Sequence, residues 1–249
     1  MIGNLIASNL CYAQITIDPP GIEAGFKYEF LNNNYDNWYE IYLSGERFLI
    51  PEKTIVYGKL RQTNRFNLSD EEVLLGFFTI LDQEQQWGIG VEGTFSHSHH
   101  VLPEWSVEGS VKNSFTKNWT IEVGLNHTEY TNAEFNQEFL RVEYGDDLQI
   151  AYTLELTQVL NVGDGATHIV ELQYYYDPET DSNIALSFLI GEIVEDQSDF
   201  VLRNDVQALI LEGKHLFSQN WGVTYGFIFW NNGEQYTRTG GQLGVRYQF

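Results

Sequence analysis

The 249 residues are 43% hydrophobic and 15% aromatic, and 35 acidic against 13 basic side chains give a net charge of −22. That balance argues against nucleic acid as a partner, because phosphate backbones are held by clustered Lys and Arg. No window approaches ~18 consecutive apolar residues, which excludes a transmembrane helix on length. Alternating strands stay compatible with a membrane even at a mean hydropathy of −0.29.

At the start of the chain, Leu5-Ile6-Ala7-Ser8-Asn9-Leu10 is short and mostly apolar, and Cys11-Tyr12-Ala13 ends in a small-x-small pattern. This resembles the tail of a secretory signal peptide cleaved before Gln14, although a basic n-region and a full apolar core are missing. Residues 1–13 are therefore expected to be a signal-peptide remnant, with 14–249 as the mature domain. Ser8-Asn9-Leu10-Cys11 is a poor lipobox. The single cysteine, Cys11, permits no internal disulfide, and the mature chain would carry no thiol.

From Gly21 onward the chain reads as segments of about ten alternating residues separated by polar turns. They fall near 21–31, 37–50, 53–64, 71–81, 87–98, 103–115, 118–130, 136–144, 147–160, 166–176, 182–194, 201–216, 219–231 and 235–249. No stretch has a helical period, and no linker divides the chain. The final segment is the clearest: Leu243, Val245, Tyr247 and Phe249 alternate with Gln242, Gly244, Arg246 and Gln248. The pattern carried by Gln242, Gly244, Tyr247 and Phe249 looks like the C-terminal signal by which outer-membrane barrels are recognised for insertion. The fold expected is all-β: one antiparallel up-and-down transmembrane β-barrel of about fourteen strands, with twelve also compatible. An even count puts both termini on one side, the periplasm. The turns on that side are expected to be short, and the loops on the other, such as Asn32–Asp36, Phe66–Asp70 and His99–Leu102, slightly longer. Trp87, Trp119 and Trp221 open strands after periplasmic turns, and Trp38, Trp105 and Trp230 lie at the opposite ends, which reads as two aromatic girdles. Strict alternation points Trp38 and Trp230 inward.

Alternation also nominates the lumen. Glu23, Lys27 and Glu29 face inward if Ile22, Ala24, Phe26, Tyr28 and Phe30 face lipid. The same parity selects Glu92, Glu108, Lys112, Glu122, Arg141, Glu143, Glu155, Glu171 and Arg246, an acidic interior with a few interleaved cations. Two uses of it stay open: paired networks that fill the lumen, or a narrow path that favours cations or guides a polar solute.

Other chemistry is weaker. His97, His99 and His100 form a metal-like cluster without a full ligand set, so no metal or cofactor is expected. Ser96, Ser98, His97 and Glu92 are close in sequence, but neighbouring strand residues point to opposite faces, so an enzyme is not expected. Gly240-Gly241 and Gly88/Gly90 read as strand-bend or close-packing positions.

Several stretches together resemble the YaiO-type outer-membrane barrel family. They are Arg65-Phe66 with Asp70, Leu102-Pro103-Glu104-Trp105-Ser106-Val107-Glu108, Asn118-Trp119-Thr120-Ile121-Glu122-Val123-Gly124-Leu125, Tyr174-Tyr175-Tyr176-Asp177 before Asn183-Ile184-Ala185-Leu186, and Tyr236-Thr237-Arg238 with the closing strand. Pro103-Glu104-Trp105 departs from the more basic start that the family would have. The resemblance implies an outer-membrane barrel of a family with no established catalytic activity, associated in some members with surface-polysaccharide machinery. The expected role is a narrow conduit or accessory for polar, saccharide-type cargo in the outer membrane of a Gram-negative bacterium. The alternatives are a packed structural or interaction barrel in envelope assembly and, second, an outer-membrane enzyme. Expected partners are outer-membrane lipids, the barrel-insertion machinery and polysaccharide-related envelope proteins.

Overall fold

The computed structural model describes residues 20–33, 35–116, 118–160, 163–177, 180–196 and 201–249. The proposed signal remnant, residues 1–13, lies outside them. Fourteen strands follow one another: β1 (Gly21–Leu31), β2 (Trp38–Ile50), β3 (Thr54–Arg65), β4 (Leu68–Ile80), β5 (Trp87–Ser96), β6 (Trp105–Ser114), β7 (Trp119–Glu129), β8 (Glu134–Gly145), β9 (Leu148–Val159), β10 (Gly163–Asp177), β11 (Ser182–Asp196), β12 (Val201–Leu216), β13 (Trp221–Asn232) and β14 (Tyr236–Gln248). Each pairs antiparallel with its sequence neighbours, and β14 returns to β1, closing the barrel. The closing seam runs from Gly21 opposite Gln248 to Leu31 opposite Arg238, so no edge strand is left to aggregate. Bulges interrupt the ladder at Phe48/Ile50 and Tyr175/Asp177.

Burial fixes the sense of the pleat. On β14, Leu243 and Val245 are 70% and 51% exposed, while the next residue, Arg246, is 7% exposed. On β1, Phe26 and Phe30 are exposed and Glu29 is buried. Apolar outside and charged inside inverts the usual soluble pattern, and only a hydrocarbon surround makes that arrangement favourable. The strands carry β-branched and aromatic residues on the outer positions, which suit a pleated surface.

The even strand number brings the start of β1 and the end of β14 to the same rim, called here the turn rim. The turns between β2–β3, β4–β5, β6–β7, β8–β9, β10–β11 and β12–β13 share it. The opposite, loop rim carries the residue 97–104 segment between β5 and β6.

Two expectations need correction. The segment Phe66–Asp70 is not a loop: the β3–β4 turn is only Phe66-Asn67, with φ of 54° and 60°, and Leu68–Asp70 already belong to β4. Two consecutive positive φ values mark a type I′ hairpin turn, and Phe-Asn lacks the Asn-Gly signature that would have announced it. Trp38 and Trp230 form no part of a lipid-facing girdle. Both are buried inside in a cluster with Ile169, Leu189, Val206, Ala208, Ile210, Ile228 and Tyr236, as their parity requires. Trp87, Trp119 and Trp221 are exposed at the turn rim, and Trp105 packs against His127 with ring centroids 5.0 Å apart.

Candidate functional site

The lumen wall divides into arcs. On β14 and β1–β4, the inward carboxylates of Glu29, Glu40, Glu46 and Glu72 meet cations. Lys27 Nζ lies 3.1 Å from Glu29 Oε1, and Arg238 Nη1 donates to Glu29 Oε2 at 2.9 Å. Glu40 accepts from Lys59 at 2.9 Å, from Arg61 at 3.3 Å and from the Thr63 hydroxyl at 3.3 Å. Arg61 also bridges to Glu72 at 2.7 Å, and Arg246 pairs with Glu46. Aromatic rings hold the same cations from the side. Lys59 lies over Tyr42, Arg65 over Trp38, and Arg238 over both Trp38 and Trp230.

Around β6–β10 a second network joins Lys112 to Glu143 (3.2 Å), Arg141 to Glu143 (2.8 Å) and Arg141 to Glu171 (2.8 Å). Thr153 and Ser187 complete it through bonds to Arg141 and Glu171, both 3.3 Å. All these pairs join one strand to itself, to its neighbour or to the next but one. They run around the wall.

A further set of carboxylates begins between the two and interleaves with the second network. Glu92 on β5 stands directly opposite Glu108 on β6, whereas Glu122 on β7 stands between Lys112 and Arg141 on the neighbouring strands. Glu92 accepts from the Tyr57 hydroxyl, Glu108 from Asn126 Nδ2 at 3.3 Å, and Glu155 on β9 from Gln137. Neutral donors, rather than cations, hold Glu92, Glu108 and Glu155 in place.

Glycines let rings lie flat on the wall. Gly25 faces Tyr42, Gly76 faces Tyr57 and Gly124 faces Phe139 across their ladders, and a Cβ at any of these glycines would strike the ring. Tyr42 then donates to Glu23 at 2.6 Å, which also accepts from Thr224 at 2.9 Å. Gly244 sits beneath this trio, where a Cβ would meet Thr224, Glu23 and Tyr42.

At the loop rim the buried Asp70 organises residues 97–104. Its carboxylate accepts from the backbone amides of His100 (3.1 Å), Val101 (2.6 Å) and Leu102 (2.8 Å), and lies 2.9 Å from His100 Nδ1. Of the three histidines only His100 meets this carboxylate, and no group of metal-ligating residues occurs among the described residues. Ser96 is buried with its hydroxyl unpartnered among the described residues, so it forms no nucleophile–base pair with His97.

Of the closing-strand residues, Tyr247 packs against Trp221 (4.9 Å) and Phe249 (5.7 Å), and the Phe249 amide donates to Pro20 O at 2.9 Å. Gln242 stands opposite Lys27 and Gly226. Alternation in the sequence overlooked Glu40, Lys59, Arg61, Arg65, Glu72 and Arg238. Beside Arg61, Arg65 and Arg238 the outward neighbours Gln62, Asn64 and Thr237 are polar too, so the period-two signal fades there, whereas Glu40 lies between the exposed Tyr39 and Ile41 and was legible by parity. The interior consequently holds more cations than the sequence reading allowed.

Solved structures with this fold include the KdgM porin (13% identity, 91% of this chain and 99% of that one covered, TM-score 0.51). A bacterial polysaccharide outer membrane secretin is similar over 93% of this chain and 99% of its own, at 8% identity and TM-score 0.59. Omp33 of Acinetobacter baumannii matches with the same coverage at 9% identity and TM-score 0.54. No curated protein matches the sequence. These structural relatives are outer-membrane barrels, with porins among them. The sequence model of the YaiO membrane beta barrel domain matches residues 20–191, and the chain belongs to that family.

Proposed function

We propose that this barrel is a narrow conduit in the outer membrane of a Gram-negative bacterium, passing polar solutes that include saccharides. The observation that carries the reading is the direction of the lumen contacts. Ion pairs run along the wall, and Tyr42, Tyr57 and Phe139 lie flat over glycines, so charge lines the bore while the rings stay off its axis. Fourteen strands fall between a filled eight-stranded barrel and the aqueous channels of roughly 16–18 strands. The porin fold supports the same reading, as do two structural relatives: KdgM, solved in complex with disordered oligogalacturonate (TM-score 0.50), and the polysaccharide secretin. On this reading the turn rim is periplasmic. Gln242, Gly244, Tyr247 and Phe249 present the insertion signal to the barrel-insertion machinery, and polysaccharide-related envelope proteins are the partners.

One observation favours a packed structural barrel instead: the apolar cluster of Trp38, Trp230 and Leu189 occupies part of the bore near the loop rim. Planar-bilayer recording separates the two readings. Stable, cation-preferring conductance steps are expected, and replacing Glu122 and Glu155 by Gln should move the reversal potential toward anions. Silence at all voltages would reject the conduit in favour of the packed barrel.

A further inference from the structure

The loop rim carries two covers of different build. Over β2 and β11–β14 the cover is rooted in the ladder: Trp38, Leu189, Val206, Trp230 and Tyr236 are inward strand residues of one apolar cluster, 0–5% exposed. Over β3–β5 the cover is the segment 97–104, which belongs to no strand. Asp70 is an inward residue between the exposed Ser69 and Glu71, and it stands opposite Thr63 in the ladder. Because three amides of the segment reach its carboxylate, residues 100–102 lie on the lumen side of β4, across the mouth. Burial agrees with that placement. Asp70, Thr63 and Ser96, inward near the loop-rim ends of their strands, are each at most 1% exposed, and Val101 and Leu102 are buried with them.

Both ends of the segment are tied to the wall. The His97 amide donates to Glu71 O at 3.3 Å, the Ser96 amide to Glu104 O at 3.0 Å, and the Glu104 amide to Glu129 O at 2.8 Å. Between these ties, residues 98–103 make no hydrogen bond among the described residues except to the Asp70 carboxylate. A wall strand is held by ladders on both sides and lifts only when the sheet opens. A segment whose middle hangs on one side chain can open locally, well below the cost of global unfolding. The backbone amides can only donate, so the latch works only while residue 70 offers two accepting oxygens.

We propose that residues 97–104 form a strap over the β3–β5 half of the mouth, latched by Asp70, and that its release opens the passage at the loop rim. The second part rests on the conduit reading, and the first does not. Thiol labelling reads the strap without any current. Ser96→Cys is introduced into the full chain together with Cys11→Ser, which removes the single natural cysteine. The Ser96 hydroxyl has no partner to lose. In the folded, detergent-solubilised barrel a water-soluble maleimide should modify this thiol slowly. Adding Asp70→Asn should speed the modification about tenfold or more, because charge-assisted bonds to three amides are weakened. Replacing residues 98–102 by a short glycine linker gives a second reading that does not depend on how the new amide settles, and it should label at least as fast. Fast labelling before either change, or equal rates in all three proteins, would overturn the strap. In planar bilayers both strap variants should pass larger current steps than the parent. Faster labelling with unchanged steps removes the gating role and keeps the strap. Silence of the parent and both variants rejects the conduit, while the labelling rates still decide the strap.

Discussion

On β14 and β1–β4, the inward carboxylates of Glu29, Glu40, Glu46 and Glu72 each meet a guanidinium or an ammonium. On β5, β6 and β9, those of Glu92, Glu108 and Glu155 are met by a phenol and two amides. The same residue type therefore has two physical roles on one wall. Where a cation answers, charge is cancelled locally and the strands are fastened to one another. Where a neutral donor answers, the carboxyl group is positioned by a hydrogen bond without an ion pair.

Cutting the fastened arc should show the largest effect. Arg61→Ala leaves Glu40 and Glu72 buried with their shared cation gone, and breaking a buried pair from one side costs about 3–5 kcal/mol. Denaturant unfolding in detergent should reveal that loss, and a change below about 1 kcal/mol would mean that the arc is held otherwise. Asp70, on β4 at the border between the arcs, tests an intermediate case, because its carboxylate is held by backbone amides. Asp70→Asn weakens charge-assisted bonds of about 1.5–3 kcal/mol. Exchange at the His100, Val101 and Leu102 amides should accelerate about tenfold or more while the strands keep their protection. Unaltered exchange would show that the 97–104 segment stays down without its pin. The smallest effect on stability belongs to the carboxylates held by neutral donors. Glu92→Gln with Glu108→Gln removes two like charges directly opposite each other, a destabilising juxtaposition. Unfolding should stay within about 0.5 kcal/mol of the parent or rise slightly. A large destabilisation would erase the contrast between the arcs.

How much of this could be read from the chain depended on depth in the barrel. From the turn rim into mid-wall the outward positions are apolar, so Trp119-Thr120-Ile121-Glu122-Val123 alternates cleanly and both the strand and its inward residues were legible. Toward the loop rim the outside is wet, outward positions such as Gln62, Asn64 and Thr237 turn polar, and parity no longer separates Arg61, Arg65 or Arg238 from their neighbours. Trp38 and Trp230 show the converse. Their residue type pointed to an interface and their parity to the interior, and parity was correct because the pleat is set by the whole strand. No local sequence rule announces Asp70, whose partners are backbone amides thirty residues and more away.

The pairs Gly25–Tyr42, Gly76–Tyr57 and Gly124–Phe139 bear on how such a bore can be altered. Each ring occupies the space that its partner's missing side chain leaves, so the width at that height is a joint property of two positions on neighbouring strands. Enlarging the glycine alone drives the ring toward the axis. Shrinking the ring alone exposes bare backbone to the passage. Changes of calibre in barrels of this build should therefore come in coupled pairs across a ladder, and an engineer seeking a wider or narrower passage would mutate two residues together.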